Sequence, residues 1–269
     1  MTHPAYETLR QVTPLAAVVL AANPSPMTLE GTNTWLLRAP GADASIVVDP
    51  GPHDEVHMSA ITAVAGRVEQ ILLTHGHPDH SDGARRLHEL TGAPVRALDP
   101  AHRLGDEGLG EADVVASAGV EVRVLATPGH SADSLSFVLD AHGNAPRSVL
   151  TGDTILGRGT TVVAYPDGDL AEYLASLRRL QQLGDATVLT GHGPELPNAA
   201  DVATYYLAHR RERLDQVRAA LAELGPDASP RAVVEVVYAD VDRVLWWAAE
   251  LSVRAQLAYL REHEHDPPR

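Results

Sequence analysis

The run His75-Gly76-His77-Pro78-Asp79-His80 puts four metal-binding side chains into six consecutive residues, a density that restricts the chain to folds able to wrap a turn around a cation. It follows Val68-Glu69-Gln70-Ile71-Leu72-Leu73-Thr74, an apolar stretch that reads as a buried strand. The ligands are therefore expected on a loop at the C-terminal end of a strand, where functional residues tend to collect. Alternate side chains of an extended chain share a face. On that basis His75, His77 and Asp79 point together, with His80 offset toward a second point in space. Two points imply two metals.

Three further candidates each follow a strand-like run. Thr127-Pro128-Gly129-His130 follows the stretch from Val120 to Ala126, Thr151-Gly152-Asp153 follows Ser148-Val149-Leu150, and Thr190-Gly191-His192 follows Thr187-Val188-Leu189. Taken singly, a histidine at a strand end is usually a surface residue and an aspartate there a turn former. Joined to the dense run, they complete a ligand set. Imidazole and carboxylate donors suit zinc, and also iron or manganese, and the chain has no cysteine to offer a thiolate. His53, His57, His88, His102, His142 and His209 lack ligand spacing, while His263 and His265 alternate with glutamates and read as a solvated tail.

The order His-x-His-x-Asp-His, His, Asp, His resembles that of the metallo-β-lactamase-fold hydrolases over roughly residues 14–200. The resemblance implies an α/β fold, an αββα sandwich with the site along one edge of two packed sheets. By similarity, His75, His77 and His130 hold a first metal, Asp79, His80 and His192 hold a second, and Asp153 bridges them. Two cations about 3.5–4 Å apart would share a hydroxide poised for attack. Asp79 would orient it or take up a proton. Asp49, at the end of Val47-Val48-Asp49, matches the family's buried aspartate, which orients a metal-bound imidazole. True β-lactam hydrolysis is disfavoured: some lactamase classes need a cysteine ligand, and the other principal class typically lacks the bridging aspartate.

Three stretches, from Met27 to Trp35, from Gly152 to Pro166, and the C-terminal helices, resemble a narrower β-lactamase-like protein branch that includes an endoribonuclease and polyketide thioesterases. That branch implies a small helical, winged-helix-like domain opening on a His-Arg-x-x-Arg pattern, here His209-Arg210-Arg211-Glu212-Arg213. The expected division is a catalytic domain over 1–199 and a helical tail over 200–269. Little chain remains for a β wing, and Ser134 stands where nuclease relatives often have a histidine. The expected function is thus a dinuclear zinc hydrolase of an ester-like bond, with a small acyl ester or thioester favoured. Single-stranded RNA cleavage is the alternative, and a di-iron oxidoreductase the rival from another class.

Charge bears on that choice. The formal net charge is −15, and 9 basic against 12 acidic residues in 200–269 leave −3 there and −12 before it. Nucleic-acid affinity depends on neutralised phosphates, so neither part is built for broad RNA association. Arg210, Arg211 and Arg213 form either a local groove or a solvated face, and Arg158 either holds an anionic group or makes a surface ion pair. Asn33, beside Thr32 and Thr34, is a candidate donor to a developing oxyanion. Of Trp246-Trp247, one ring is expected in the core and the other at a pocket or homodimer contact. The apolar run from Leu15 to Ala22 lacks a basic flank and reads as a first β-strand, not a secretory segment. No run approaches membrane-spanning length, so a cytoplasmic enzyme without a membrane partner is expected.

Overall fold

The structure is a computed structural model that describes residues 5–105 and 107–263. His265 of the expected tail lies outside the described residues. Six strands, β1 Leu9–Thr13, β2 Ala16–Leu20, β3 Asn33–Leu37, β4 Ala44–Val48, β5 Arg67–Leu72 and β6 Val95–Arg96, form one sheet in chain order. Five more, β7 Val114–Ser117, β8 Val120–Ala126, β9 Leu135–Leu139, β10 Ser148–Leu150 and β11 Thr187–Leu189, form a second in reverse order. Both sheets are mixed, with β4, β5 and β6 parallel in the first and β10 and β11 parallel in the second. The run beginning at Leu15 is the second strand, because Leu9–Thr13 pairs antiparallel beside it.

Strand alternation divides the apolar residues between layers. Trp35, Leu37, Ile46, Val48 and Leu72 of the first sheet meet Val122, Val124, Leu135, Phe137 and Leu150 of the second. Leu36, Val47 and Ile71 face the other way, onto helices α1 (Glu55–Ala65) and α2 (Pro78–Thr91). Val138, Val149 and Val188 likewise face α3 (Leu170–Gln181). This is the expected αββα sandwich. The sheets are tied at one end, where Leu135 N–H donates to Thr74 O at 2.7 Å and Asn33 N–H donates to Gly191 O at 2.8 Å.

The tail is helical throughout its described residues: α4 (Ala199–Leu224), α5 (Pro230–Val237) and α6 (Trp246–His263). Asn198 caps α4, and Ser229 followed by Pro230 opens α5, where a proline at the first helical position costs no hydrogen bond. Tyr206, Leu214, Val233, Trp246 and Val253 share one apolar cluster with Leu174 and Leu177 of α3. The tail is therefore packed onto the sandwich. Trp246 is buried and Trp247 exposed. No helix among the described residues is long and apolar enough to cross a membrane.

Candidate metal centre

The dense run does not stay extended. His77 is the N-cap of α2 and Pro78 its first residue, so the chain turns helical inside the motif. That corrects the grouping expected from an extended chain, not the one implied by the resemblance: Asp79 leaves the His75–His77 pair and joins His80. The ligand atoms fall into three overlapping groups, His75, His77 and His130; His75, His80 and Asp153; and Asp79, His80 and His192. His77 Nδ1 lies 3.0 Å from both His75 Nε2 and His130 Nε2. His192 Nε2 lies 3.1 Å from His80 Nε2 and 3.1 Å from Asp79 Oδ2. Asp153 stands between the groups, its Oδ1 3.3 Å from His80 Nε2 and its Oδ2 3.8 Å from His130 Nε2.

Hydrogen-bond accounting assigns the imidazole tautomers. A carbonyl oxygen only accepts, so His130 Nδ1 donates to Val162 O at 2.8 Å and His192 Nδ1 donates to Gly31 O at 3.1 Å. Asp49 Oδ1 accepts from Thr74 N–H at 2.8 Å, and its Oδ2 accepts from Thr74 Oγ1 at 2.7 Å and His80 Nδ1 at 3.0 Å. Thr74 has given its only proton to Asp49, so its oxygen accepts from His75 Nδ1 at 3.0 Å. Four imidazoles thus carry the outer Nδ1 proton and leave Nε2 for the centre, the arrangement a metal-binding histidine requires. Asp49 directs one imidazole in each group, a wider role than its position at a strand end indicates.

The donor set fits cations. Asp153 Oδ1 is buried and accepts no hydrogen bond, and a Cβ at Gly191 would come within 2.7 Å of it and 2.8 Å of His80 Cε1. Glycine there keeps the cradle open. Burial would raise the Asp153 carboxyl, but the charges of His192 and His80 hold it well below the usual range. Burial would lower His192 and His80, yet Asp153 pushes His192 up to about 9 and, with Asp49, holds His80 well above its ordinary value. Burial outweighs the carboxylate for His75 and His130, which are both lowered. For Asp79 the burial penalty is overcome by the hydrogen bond from His192, and its carboxyl is lowered.

Other expectations land elsewhere. Both Nδ2 hydrogens of Asn33 are committed, to Thr190 O at 3.0 Å and Gly193 O at 2.8 Å. The amide ties β3 to the loop bearing His192 and has no hydrogen left for an oxyanion. Arg210 is neither groove nor solvated face: it is buried, donates to Thr161 O and lies over the Tyr173 ring at 5.0 Å. Arg213 donates to Val237 O at 3.0 Å and covers Tyr238. Arg158 pairs with Glu30 at the surface, at 2.6 Å. Sequence reading also passed over His57, which is buried between Glu7 Oε2 at 2.6 Å and Thr34 Oγ1 at 2.8 Å. Thr34 in turn donates to Asp49 O at 2.7 Å, supporting the residue that orients the ligands.

Comparison with known proteins gives the family of the chain. Residues 27–192 match the Metallo-beta-lactamase superfamily. The chain belongs to that superfamily. Residues 229–264 match the Beta-lactamase associated winged helix domain, here helical in its described part. Among superfamily relatives, a Beta-lactamase-like protein 2 homolog of Caenorhabditis elegans is 32% identical over 94% of this chain and 84% of its own. An Atrochrysone carboxyl ACP thioesterase of Aspergillus fumigatus is 33% identical over 79% of this chain and 67% of its own. A beta-lactamase domain protein from Burkholderia ambifaria superimposes with a TM-score of 0.80 at 24% identity, covering 98% of this chain and 90% of its own. A protein crystallised in a di-iron-bound form is 25% identical, with a TM-score of 0.54, covering 69% of this chain and 96% of its own. The named thioesterase relatives and the shared fold make the chain a hydrolase with a candidate divalent-metal site.

Proposed function

We propose that the protein is a dinuclear zinc-dependent hydrolase of acyl thioesters or esters. The observation that carries this reading is the placement of Asp153, with one carboxylate oxygen toward each ligand group. His75, His77 and His130 would hold one ion, Asp79, His80 and His192 the other, and Asp153 both. Zinc suits a set of imidazoles and carboxylates without sulfur. Bound cations supply Lewis acidity and lower the pKa of water at the site. Asp153 supplies fixed negative charge, and Asp79, the more exposed carboxylate, turns Oδ2 toward His192 and His80 as a ligand atom.

The acyl preference rests on the thioesterase relatives and on the burial of Arg210, one of the three arginines that could have lined an RNA groove. A cleft of about 470 Å³ between Tyr165, Pro166, Trp247 and Leu251 is proposed to receive the acyl group, with both aromatic rings exposed at its mouth. Its one arginine, Arg254, is paired with Glu250 at 2.8 Å, which leaves the cleft suited to an uncharged group. The test is a panel of acyl thioesters, esters, lactones, β-lactams and labelled single-stranded RNA offered to zinc-loaded protein. Thioester or ester turnover is expected to dominate. RNA cleavage without acyl hydrolysis would overturn the substrate assignment, and iron with a reversible redox signal would overturn the zinc assignment.

A further inference from the structure

We infer that Tyr206 and Arg210 of helix α4, the first helix of the tail, are positioning residues for the metal centre, acting through the segment from Gly152 to Val162. The inference rests on the metal-binding reading above. This segment leaves β10 immediately after a strand end and carries Asp153 at its start and Val162, whose carbonyl accepts from His130 Nδ1, at its end. Its backbone has no sheet partner along most of its length; main-chain bonds hold Gly152 O to Gly191 N–H and Gly157 N–H to His192 O, and side chains from elsewhere hold Thr154, Leu156 and Thr161. Tyr173 Oη donates to Thr154 O at 2.8 Å. Tyr206 Oη accepts from Leu156 N–H at 3.0 Å and returns its own proton to Leu156 O at 3.3 Å, clasping both sides of one residue. Arg210 donates to Thr161 O, the carbonyl next to the one that holds His130. Thr161 Oγ1 also lies 3.3 Å from His130 Nδ1.

The chemistry at Arg210 separates positioning from simple packing. Arg210 is 4% exposed, and its contacts are a carbonyl and an aromatic ring, with no ion pair to a carboxylate among the described residues. Its Nε is buried and unpartnered. A helix could be fastened here with an apolar side chain and no desolvated charge, which is often the more stable solution. What an apolar chain cannot do is fix the Thr161 carbonyl and so the direction of the next one. Val162 O keeps the His130 proton on Nδ1 and Nε2 aimed at His77 Nδ1. Loss of Arg210 therefore frees the His130 ring to turn or change tautomer, while His80, His192 and Asp79 keep their own supports.

The experiment measures zinc affinity by chelator competition in the full-length protein, alongside thermal melting of the metal-free form. Partners outside a ligand shell typically affect metal affinity by about 10–100-fold. Arg210→Met is expected to weaken the more His130-dependent of two zinc equivalents by that factor and to leave the other within about threefold, while the metal-free protein stays folded with a lower melting temperature from the lost bond to Thr161 O. Arg210→Lys restores part of the affinity. Tyr206→Phe keeps the packed ring and removes the clasp on Leu156, and it too weakens zinc binding should Arg210→Met fail to fold. A His130→Ala control marks which equivalent is lost. Parent-like zinc affinity in a folded Arg210→Met protein, or in Tyr206→Phe, overturns the inference. Failure of the parent itself to bind zinc would instead strike the metal-centre reading.

Discussion

Replacing Asp49 by Asn tests the tautomer argument with almost no change in shape. Asp49 is 1% exposed and has a φ of 50°, a conformation that asparagine tolerates as readily as aspartate, so the backbone is not disturbed. The carboxylate accepts from Thr74 N–H, Thr74 Oγ1 and His80 Nδ1. An amide can accept at one oxygen only. With its oxygen toward Thr74 N–H, the NH₂ faces Thr74 Oγ1 and His80 Nδ1, and both must become acceptors. Thr74 then turns its proton toward His75 Nδ1, and both His75 and His80 move their own proton to Nε2, where a cation would bind. The opposite amide orientation sets NH₂ against the Thr74 N–H. Hydrogen bonds to charged groups contribute about 1.5–3 kcal/mol each, so two compromised contacts cost about 3 kcal/mol at the lower end. That is on the order of a hundredfold in zinc affinity. Chelator competition on the folded variant, checked by circular dichroism, reads the effect. Parent-like affinity for both ions would refute the reasoning.

Five other outcomes follow from the structure. Asp153→Ala should abolish most hydrolysis and reduce metal content measured by elemental analysis; undiminished turnover would exclude a bridging role. Asn33→Ala removes one donor each from Thr190 O and Gly193 O, which keep Trp35 Nε1 and Thr190 Oγ1, and should lower stability by about 1 kcal/mol in denaturant unfolding, with activity of the folded fraction little changed. In the metal-free protein His192 is raised to about 9 against an unfolded value near 6.5, so its stabilisation is complete below about pH 6.5 and lost as pH rises through about 9. By the same linkage a proton must leave as a cation binds, so zinc affinity measured at pH 7 should rise toward pH 9. Trp247→Ala should raise KM for bulky acyl substrates and leave acetyl substrates unaffected; equal effects on both would remove the cleft from the acyl site.

The ligands were legible because chemistry confines them to strand ends, and because His130, Asp153 and His192 each follow a short β-branched run. The two layers of sheet were implied by the family resemblance that the ligand order carries. Asp79 was misplaced by period-two reasoning, since Pro78 at the first helical position switches the chain to a helix between His77 and Asp79. Arg210 reads as surface because helical spacing shows which residues share a face and not which loop lies against it. Its partner carbonyl, on Thr161, is 49 positions away in sequence. The same separation hid His57, whose partner Glu7 stands 50 positions earlier. Asn33 looked like a donor awaiting a substrate because nothing local reveals the two carbonyls, 157 and 160 positions away, that take its hydrogens.

The central claim is tested most directly by adding zinc stepwise to chelator-treated protein while following thioester hydrolysis through release of free thiol. The account predicts negligible turnover without metal and a rise that breaks at about two equivalents per chain, with Asp153→Ala remaining flat throughout. Full turnover before any zinc is added, or thioester hydrolysis that Asp153→Ala sustains at the parent rate, would contradict it.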